Sequence, residues 1–573
     1  MCALTGERIT KVLKTRLNLT RIVMRRNFKA FRVFVLMIGL AAFFLCYGEV
    51  VHAEAVYSFT KTMGGTDHDY GQSVAVDGSG NIYITGYFRG TVDFDPGSGT
   101  DNHTAVGEED IFLTKFDTDG NYLFTKTMGG TDHDYGRAVA VDSSGNVYIT
   151  GYFSGTADFD PGSGTDNHTS AGLEDIFLTK FDTDGNYLFT KTMGGTDHDY
   201  GQSVAVDGSG NVYITGYFSG TADFDPGSGT DYHFSAGLED IFLTKINADG
   251  SYGYTKTMGG TDHDFGQSVA VDGSGNVYIT GYFSGTADFD PGSGTDYHFS
   301  AGLEDIFLTK INADGSYAYT KTMGGTDHDF GQSVAVDGSD NVYVTGYFSG
   351  TDVDFDPGSG TDEHTSAGLE DIFLTKINFD GSYGFTKTMG GTDQDVGRSV
   401  AVDDIVNVYI TGYFRETADF DPGTATDNHT VVGEEDIFLT KFRMVDLIVI
   451  PTSVTISGSG ETAAFTVRLL SAPSEEADVT VQVSSSNSAI GTVDKSSLTF
   501  TDADWFVDQT VTITSISDTT ETYSIVLNPA SSGDADYNSL GSVNVTVKNV
   551  ANESSGFISC FISTAAHGSP LAP

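Results

Sequence analysis

The chain of 573 residues has few basic residues, few cysteines and a single tryptophan. Its 29 Lys and Arg stand against 79 Asp and Glu, and the formal charge of −50 disfavours nucleic acid and anionic membranes as partners. Only Cys560 lies beyond residue 53, so we expect no internal disulfide in an exported chain. An aromatic content of 12% and 71 glycines indicate a folded, turn-rich protein rather than a disordered acidic polymer.

The sequence also lacks the short motifs of common enzymes. It has no Gly-x-Ser-x-Gly, His-Glu-x-x-His or phosphate-loop pattern. An active site needs unlike groups that converge, whereas near-identical repeats present the same groups six times. We therefore expect a protein that is not an enzyme. The alternative, a hydrolase or lyase on the same scaffold, would need a constellation unique to the last repeat, such as Asp403, Asp404 and Glu416.

The first 53 residues differ from the rest because basic residues are concentrated there. An apolar run over residues 33–46 follows, and small Ala53 ends the segment. This order predicts a signal peptide over residues 1–53, cleaved after Ala53, with a start at Met24 as an alternative. The apolar run is shorter than the roughly 20 residues that a spanning helix needs, so we expect no integral membrane span in the mature chain. The protein is predicted to be secreted or held at the bacterial cell surface.

One sequence unit recurs six times between residues 57 and 442. Thr-Met-Gly-Gly returns every 65 residues, and once after 66, at Met63, Met128, Met193, Met258, Met323 and Met389. Gly-Tyr-Phe and Asp-Ile-Phe-Leu-Thr-Lys recur in the same phase, and residues 201–252 are identical to residues 266–317. A fixed period of this kind indicates a repeat architecture.

Each unit contains four short strand patterns. In the second copy they cover residues 138–142, 147–153, 176–181 and 187–193, with Gly- and Asn-containing tight turns at 143–146 and 182–186. Four antiparallel strands per unit predict an all-β fold, the β-propeller. The array begins with a fourth strand (57–63) and ends with a third (437–442). It therefore predicts a six-bladed propeller of 65-residue repeats, closed by the N-terminal strand, which would remove exposed sheet edges.

These phrases, in this order, resemble the SBBP family of bacterial β-propeller repeats over residues 57–442. The resemblance implies a propeller fold. The family name refers to seven blades, whereas the phase of this sequence gives six. It implies no single biochemical activity, because many unrelated functions occur on one fold.

Loop length distinguishes the two faces of the predicted ring. One face carries the tight turns, and the other carries the inter-unit loop (194–200 in the second copy) and a long loop (154–174). Both loops on the second face are acidic and contain histidine. Crowded carboxylates of this kind suit Ca²⁺, which takes six to eight oxygen ligands. The candidate ligands are Asp67, Asp69, Asp93, Asp95, Asp101, Asp132, Asp134, Asp197, Asp199, Asp262, Asp264, Asp327 and Asp329.

Two other interpretations of these loops stay open. Asp, Gly, Pro and Asn are ordinary turn residues, so the acids could serve only to cap loops and to keep the surface soluble. Transition-metal binding through the histidines is a weaker alternative, because Gln394 interrupts the histidine series. No cofactor is certain, and Ca²⁺ is the candidate.

Composition changes after residue 445, where Ser, Thr and Val dominate. Seven alternating segments over residues 446–550 predict a β-sandwich. Ser-Leu-Thr-Phe-Thr-Asp-Ala-Asp-Trp, which ends at Trp505, resembles Calx-β and related Ig-like modules, and this resemblance implies a spacer or adhesion module with Asp502 and Asp504 as Ca²⁺ candidates. Residues 551–573 resemble the Cys-Phe-Ile-Ala-Thr-Ala-Ala-Tyr-Gly-Ser tail of exported bacterial proteins, with Ser563 and His567 departing from it. Cys560 is either an attachment thiol or incidental.

The favoured function is multivalent binding or adhesion through the acidic loop face, without catalysis. The expected partner is a surface polymer, a glycan or a protein, bound by a monomer whose repeated weak contacts add avidity. A structural surface spacer with counterion-binding loops is the alternative.

Overall fold

A computed structural model describes residues 61–403, 406–423, 425–473, 477–532, 534, 537 and 540–551. The predicted signal peptide, most of the predicted N-terminal strand and the C-terminal tail lie outside the described residues. All named elements are β-strands. Within the described part of the chain, no helix has the length and apolarity that crossing a membrane requires.

The first three repeats form units 1 to 3. The strands of unit 1 are β1 (Asp69–Val76), β2 (Ile82–Phe88), β3 (Thr91–Asp93), β4 (Asn102–Thr104), β5 (Asp110–Phe116) and β6 (Tyr122–Gly130). Those of unit 2 are β7 (Asp134–Val141), β8 (Val147–Asp158), β9 (Asn167–Phe181) and β10 (Tyr187–Gly195). Those of unit 3 are β11 (Asp199–Val206), β12 (Val212–Asp223), β13 (Tyr232–Ile246) and β14 (Tyr252–Gly260).

Units 4 to 6 follow in the same phase. The strands of unit 4 are β15 (Asp264–Val271), β16 (Val277–Asp288), β17 (Tyr297–Ile311) and β18 (Tyr317–Met323). Those of unit 5 are β19 (Asp329–Val336), β20 (Val342–Phe348), β21 (Val353–Asp354), β22 (Glu363–His364), β23 (Asp371–Ile377) and β24 (Tyr383–Gly391). Those of unit 6 are β25 (Val396–Val402), β26 (Asn407–Phe414), β27 (Thr417–Asp419), β28 (Asn428–Thr430) and β29 (Asp436–Arg443).

Units 1 to 5 each contain a four-stranded antiparallel meander, as the sequence predicts. In unit 3 the order is β11-β12-β13-β14. The tight turns also form where predicted: Gly145 and Gly185 adopt positive φ of 82° and 78°, which glycine tolerates best. In the first turn, Asp142 accepts hydrogen bonds from the backbone N–H groups of Ser144 and Asn146 at 2.9 Å.

The long loop of the sequence analysis is not an irregular loop, and that prediction is wrong in form. In unit 2 it continues β8 and β9 past a bulge at Ser154–Thr156, with Ala157 paired to His168 and Asp158 to Asn167. We call this feature the extension hairpin. In units 1, 5 and 6 it is a separate short pair, β3 with β4, β21 with β22 and β27 with β28.

Each extension hairpin pairs with the Gly-Gly that precedes its unit in the chain. The pairs are Gly64 with Asp93, Gly129 with Asp158, Gly194 with Asp223, Gly259 with Asp288, Gly324 with Asp354 and Gly390 with Asp419. Because these bridges link the meanders of units 1 to 4, those meanders form one long open sheet of 16 strands. A residue with a larger side chain would not fit at Gly130, since a Cβ there would lie 2.1 Å from the Thr156 carbonyl oxygen.

The space between units is filled by apolar side chains from both neighbours. Ile176 and Leu178 of β9 pack with Val204 and Ile214 of unit 3, and all four are buried. Aromatic rings continue across the junctions: Tyr152 meets Tyr200 edge-on with ring centroids 4.4 Å apart, and Tyr200 meets Tyr217 at 5.0 Å. Such pairs stabilise beyond the area that they bury.

The two ends of the array are open in the described residues. Ile437 and Leu439 of β29 are 87% and 73% exposed, and Val74 and Val76 of β1 are 64% and 59% exposed. No fourth strand of unit 6 is among the described residues, and a cavity of about 700 Å³ runs along β29. Closure by residues 57–63 therefore stays a prediction.

The C-terminal region forms two sheets. Its strands are β30 (Leu447–Ile450), β31 (Ser453–Ser457), β32 (Thr462–Leu469), β33 (Val479–Ser485), β34 (Gly491–Val493), β35 (Ser497–Phe500), β36 (Gln509–Ser515), β37 (Glu521–Ser532) and β38 (Val543–Val550). One sheet has the order β30-β32-β36-β34 and the other β31-β38-β37-β33-β35. Side chains from both sheets form one core, against which Trp505 packs. An Ig-like or Calx-β identity for this region stays a prediction.

Candidate functional site

The candidate site is the set of junctions between successive units on the side of the extension hairpins. The inter-unit loop at residues 131–133 lies against the extension hairpin of unit 2: Ser154 donates its backbone N–H to the His133 carbonyl oxygen at 3.0 Å. Gly155 has φ of 63°, and a Cβ there would lie 2.2 Å from Asp132 Oδ2. Only glycine fits at this position beside the carboxylate.

The first aspartates of the Asp-His-Asp loops lie at the surface. Asp132 and its copies Asp197, Asp262 and Asp327 are exposed, and each accepts a hydrogen bond from the preceding threonine hydroxyl, at 3.3 Å for Asp132. Asp67, the first of the series, is also exposed. These predicted ligands are therefore separated from the buried part of the junction.

The acids of the extension hairpin are engaged in its turn. Asp93 Oδ1 accepts the backbone N–H groups of Asp95 at 3.1 Å and Asp101 at 2.9 Å. Asp95 Oδ1 accepts the Gly97 N–H at 2.7 Å, and Asp101 accepts the Tyr122 hydroxyl and contacts His103. These contacts agree with the interpretation of the acids as turn-capping residues.

The second aspartates of the loops are different, because they are buried. Asp134, Asp199, Asp264 and Asp329 are completely inaccessible to solvent. Each begins the first strand of its unit and accepts the N–H of the glycine four residues before it, at 2.6 Å for Asp134 and Gly130. Asp69, at the open start of the array, keeps the same bond from Gly65 at 2.7 Å but is not buried.

Each buried aspartate faces a second one that the sequence analysis did not select. These second aspartates directly precede the Ile-Phe-Leu segment of the third strands and are 2–5% exposed: Asp110, Asp175, Asp240, Asp305 and Asp371. Between Asp110 and Asp134 lies Gly129, where a Cβ would approach Asp110 Oδ1 to 2.7 Å and Asp134 Oδ2 to 3.0 Å. The sequence signal that could have identified these aspartates is an acid placed directly before the buried Ile-Phe-Leu segment, where a polar side chain needs a partner.

These aspartate pairs contain carboxylate oxygens without partners. The Oδ1 atoms of Asp110, Asp134, Asp175, Asp199, Asp240, Asp264, Asp305 and Asp371 are buried and accept no hydrogen bond. At the last two junctions the second aspartate has a partner: Asp329 Oδ1 accepts the Ser349 N–H at 3.3 Å and Asp395 Oδ1 the Arg415 N–H at 3.1 Å. Among the described residues, no Lys or Arg forms an ion pair with any of the ten aspartates.

Burial shifts the acid–base chemistry of these pairs. Desolvation raises the pKa of Asp134 to about 8 and that of Asp110 to about 6. The same cause raises the pKa of Asp264 to about 8 and that of Asp240 to about 7. The charge of the nearby Asp240 further raises the pKa of Asp264.

The histidines have structural partners instead of forming one metal site. His133, His198, His263 and His328 contact Glu109, Glu174, Glu239 and Glu304 through Nδ1. Among the described residues, Glu108, Glu109 and His133 form the one group of three side chains close enough to share a metal ion. Because leucine replaces Glu108 in units 2 to 5, this group does not repeat there.

A second surface feature distinguishes units 3 and 4. Tyr232 and Phe234 of β13 are 58% and 69% exposed, and the identical Tyr297 and Phe299 of β17 match them. Units 1, 2 and 6 carry Asn and Thr at these positions of the extension hairpin. Sequence reasoning missed these four aromatic side chains, although the change from Asn-His-Thr to Tyr-His-Phe was visible.

Two of the residues considered for catalysis, Asp403 and Glu416, do not come together. Asp403 precedes β26 and Glu416 follows it, so the two lie near opposite ends of an eight-residue strand. Asp403 accepts the Asn407 backbone N–H and the Tyr409 hydroxyl, as the equivalent aspartates of other units do in their turns. Asp404 lies outside the described residues.

The fold and these junctions define a class: an all-β protein built from repeated four-stranded units that are joined through extension hairpins. Comparison with known families agrees, because the beta-propeller repeat SBBP matches residues 63–87, 128–157, 193–222, 253–287 and 322–352. Five of the repeats therefore carry the SBBP β-propeller repeat.

Two curated proteins are similar in sequence. An uncharacterized WD repeat-containing protein of Acanthamoeba polyphaga mimivirus is 25% identical over 442 residues, covering 64% of this chain and 32% of the relative. The regulatory protein FlaEY of Caulobacter vibrioides is 26% identical over 441 residues, covering 71% of this chain and 43% of the relative. The chain thus spans less than half the length of each relative.

Among solved structures, surface layer protein SbsC (domains 1–6) aligns with 84% of this chain and 54% of its own, at 11% identity and a TM-score of 0.14. This score is too low to support an inference about fold or function.

Proposed function

We propose that the protein is a non-catalytic, multivalent binding protein of the bacterial cell surface. The carrying observation is the pair of exposed aromatic residues that recurs at one position of two adjacent units, Tyr232 and Phe234 in unit 3 and Tyr297 and Phe299 in unit 4. Exposed aromatic rings bordered by Asp and Thr side chains suit a carbohydrate polymer, since the rings pack on sugar faces and the polar groups bond hydroxyls. Export, which places the protein at the surface, rests on the predicted signal peptide.

The test replaces the exposed aromatic residues of units 3 and 4 with the residues that other units carry at the same positions. Tyr232→Asn with Phe234→Thr changes unit 3, and Tyr297→Asn with Phe299→Thr changes unit 4. Because Asn and Thr occupy these positions in units 1, 2 and 6, the fold should be retained. Binding to a panel of bacterial surface polysaccharides is measured by affinity electrophoresis and calorimetry.

We expect each conversion to weaken binding about tenfold or more and the double conversion to abolish it, because linked contacts contribute avidity. Unchanged affinity in the double conversion would contradict the proposal. Binding to none of the polymers by the unaltered protein would favour the structural spacer. Turnover of a polymer that is lost in an Asp403→Asn or Glu416→Gln variant would favour the enzyme.

We also propose that the six units form a closed ring, with residues 57–63 as the fourth strand of unit 6. Gly64, directly after this segment, pairs with the extension hairpin of unit 1 as the later Gly-Gly pairs do with theirs. Ile437 and Leu439 are exposed, although they occupy the repeat positions that unit 2 buries against unit 3. Val74 and Val76 are also exposed, and they occupy the repeat positions that unit 3 contributes to the other side of that junction. The predicted Ig-like, Calx-β-like region over residues 446–550 would then serve as a spacer for the ring.

A further inference from the structure

The five junctions between units each bury two acidic side chains without a basic partner in the described residues. Each of these carboxylates accepts a backbone N–H at its Oδ2 atom, but a buried carboxylate without a counter-charge and with an unsatisfied second oxygen is unfavourable as an anion. At the first three junctions, the Oδ1 atoms of both aspartates accept no hydrogen bond: Asp110 and Asp134, Asp175 and Asp199, Asp240 and Asp264. The same arrangement recurs from copy to copy, so it is a feature of the repeat and not an isolated defect.

The junction between units 3 and 4 also has space beside its pair. A cavity of about 250 Å³ is lined by Asp240, Gly259 and two acids of the extension hairpin of unit 4, Asp288 and Asp290. Asp264 approaches Gly259 as well, since a Cβ on that glycine would lie 3.0 Å from Asp264 Oδ2. Asp240 and Asp264 thus meet at one glycine, beside a cavity that Asp288 and Asp290 also line.

We propose that each junction binds one Ca²⁺ ion between the aspartate that directly precedes Ile-Phe-Leu in a third strand and the aspartate at the start of the next unit's first strand. A divalent cation neutralises both carboxylates and supplies the missing partner for their oxygens. Hard carboxylate oxygens in an irregular arrangement favour Ca²⁺, whereas Mg²⁺ demands a smaller octahedral site and retains water. The ion would link neighbouring units of the array, which has no disulfide between them.

This site differs from the one that the sequence predicts. Asp134, Asp199, Asp264 and Asp329 remain as ligands and Asp395 is added at the fifth junction, while the exposed loop partners, such as Asp132, are not ligands. Asp110, Asp175, Asp240, Asp305 and Asp371 replace them. The proposal is independent of polymer binding, since the aromatic residues on the extension hairpins do not contribute to it.

The experiment uses the full chain, stripped with EDTA and titrated with CaCl₂ by calorimetry, with thermal unfolding measured in parallel. We expect about five equivalents of Ca²⁺ to bind and the melting temperature to rise by about 5 °C or more at saturation. MgCl₂ at the same concentration should give a much smaller rise. Equal rises with both ions would overturn the assignment to Ca²⁺.

A matched pair of variants locates the ion. Asp240→Asn with Asp264→Asn removes both charges at one junction but keeps the side-chain size, so the metal-free chain should fold. Asp249→Asn is the control, because it removes one charge from an exposed turn of unit 3. The junction variant should bind one equivalent fewer, and Asp249→Asn should bind as many as the unaltered chain. Full stoichiometry in the junction variant, or no Ca²⁺ binding by the unaltered chain, would overturn the proposal.

Discussion

The strands β9 and β29 have the same sequence from their aspartate onward, Asp-Ile-Phe-Leu-Thr-Lys-Phe, but not the same environment. In β9, Ile176 and Leu178 are fully buried, whereas in β29 the equivalent Ile437 and Leu439 are 87% and 73% exposed. The difference is the neighbour: unit 3 covers β9, and no described unit covers β29. A strand with the sequence of a core strand and the exposure of a surface strand therefore marks a missing partner.

The largest expected effect comes from removing the segment that we propose as that partner. Deletion of residues 57–61 should leave β29 with a permanently unpaired edge, which promotes association between chains. We expect the mature protein to lose its monomeric state and to melt at a clearly lower temperature, measured by light scattering and calorimetry. A monomer with an unchanged melting temperature would show that this segment does not complete unit 6.

A pair of alanine substitutions makes the comparison quantitative. Leu178→Ala should cost about 3 kcal/mol of unfolding free energy, because it leaves a cavity at a filled junction. If the ring closes, Leu439→Ala should cost a similar amount. If the array stays open, Leu439 is exposed, and Leu439→Ala should lower the unfolding free energy by less than about 1 kcal/mol. Denaturant unfolding of both variants decides between the two arrangements, with light scattering to detect end-to-end association.

The sequence predicted the interior of the array better than its ends. Period, turn glycines and strand alternation located the four strands of each unit because those signals are local. The extension hairpin was missed because its strands are short and polar, so residues 156–158 and 167–169 give no apolar alternation. The exposure of Val74 and Ile437 could not be predicted, since it depends on which units meet in space.

The candidate site shows the same limit. Asp134 was found because it lies in a visibly acidic loop. Asp110 was missed because its partner is 24 residues away in the sequence and in another unit. Only pairing of the strands brings the two carboxylates to the same glycine, Gly129.

Acid–base titration provides a third test of the interior junctions. Desolvation raises the folded-state pKa of Asp199 to about 8, above the usual aspartate value near 4 in an unfolded chain. A raised carboxyl pKa contributes stability at low pH that is lost as the pH rises through the folded value. The Ca²⁺-free protein should therefore melt a few degrees lower at pH 8.5 than at pH 5.5.

A matched pair of variants tests whether the buried aspartates cause this pH dependence. Asp175→Asn with Asp199→Asn should reduce the slope of melting temperature against pH, while Asp184→Asn, in an exposed turn of unit 2, should leave it unchanged. Equal slopes in all three proteins would mean that other groups cause the pH dependence.

The smallest expected effect concerns the aromatic contacts across the junctions. The ring series runs through Tyr200 and continues to Tyr347, but Val396 stands at the next position. Tyr200→Val should cost about 1 kcal/mol beyond the loss of buried area, because it removes the edge-on contact with Tyr152. Val396→Tyr should stabilise unit 6 only if its junction with unit 5 has the geometry of the interior junctions. Chemical denaturation of the two variants measures both effects. If Val396→Tyr stabilises the protein, the last junction has the same geometry as the interior junctions. If it destabilises the protein, the departure from repeat symmetry already begins at the junction between units 5 and 6.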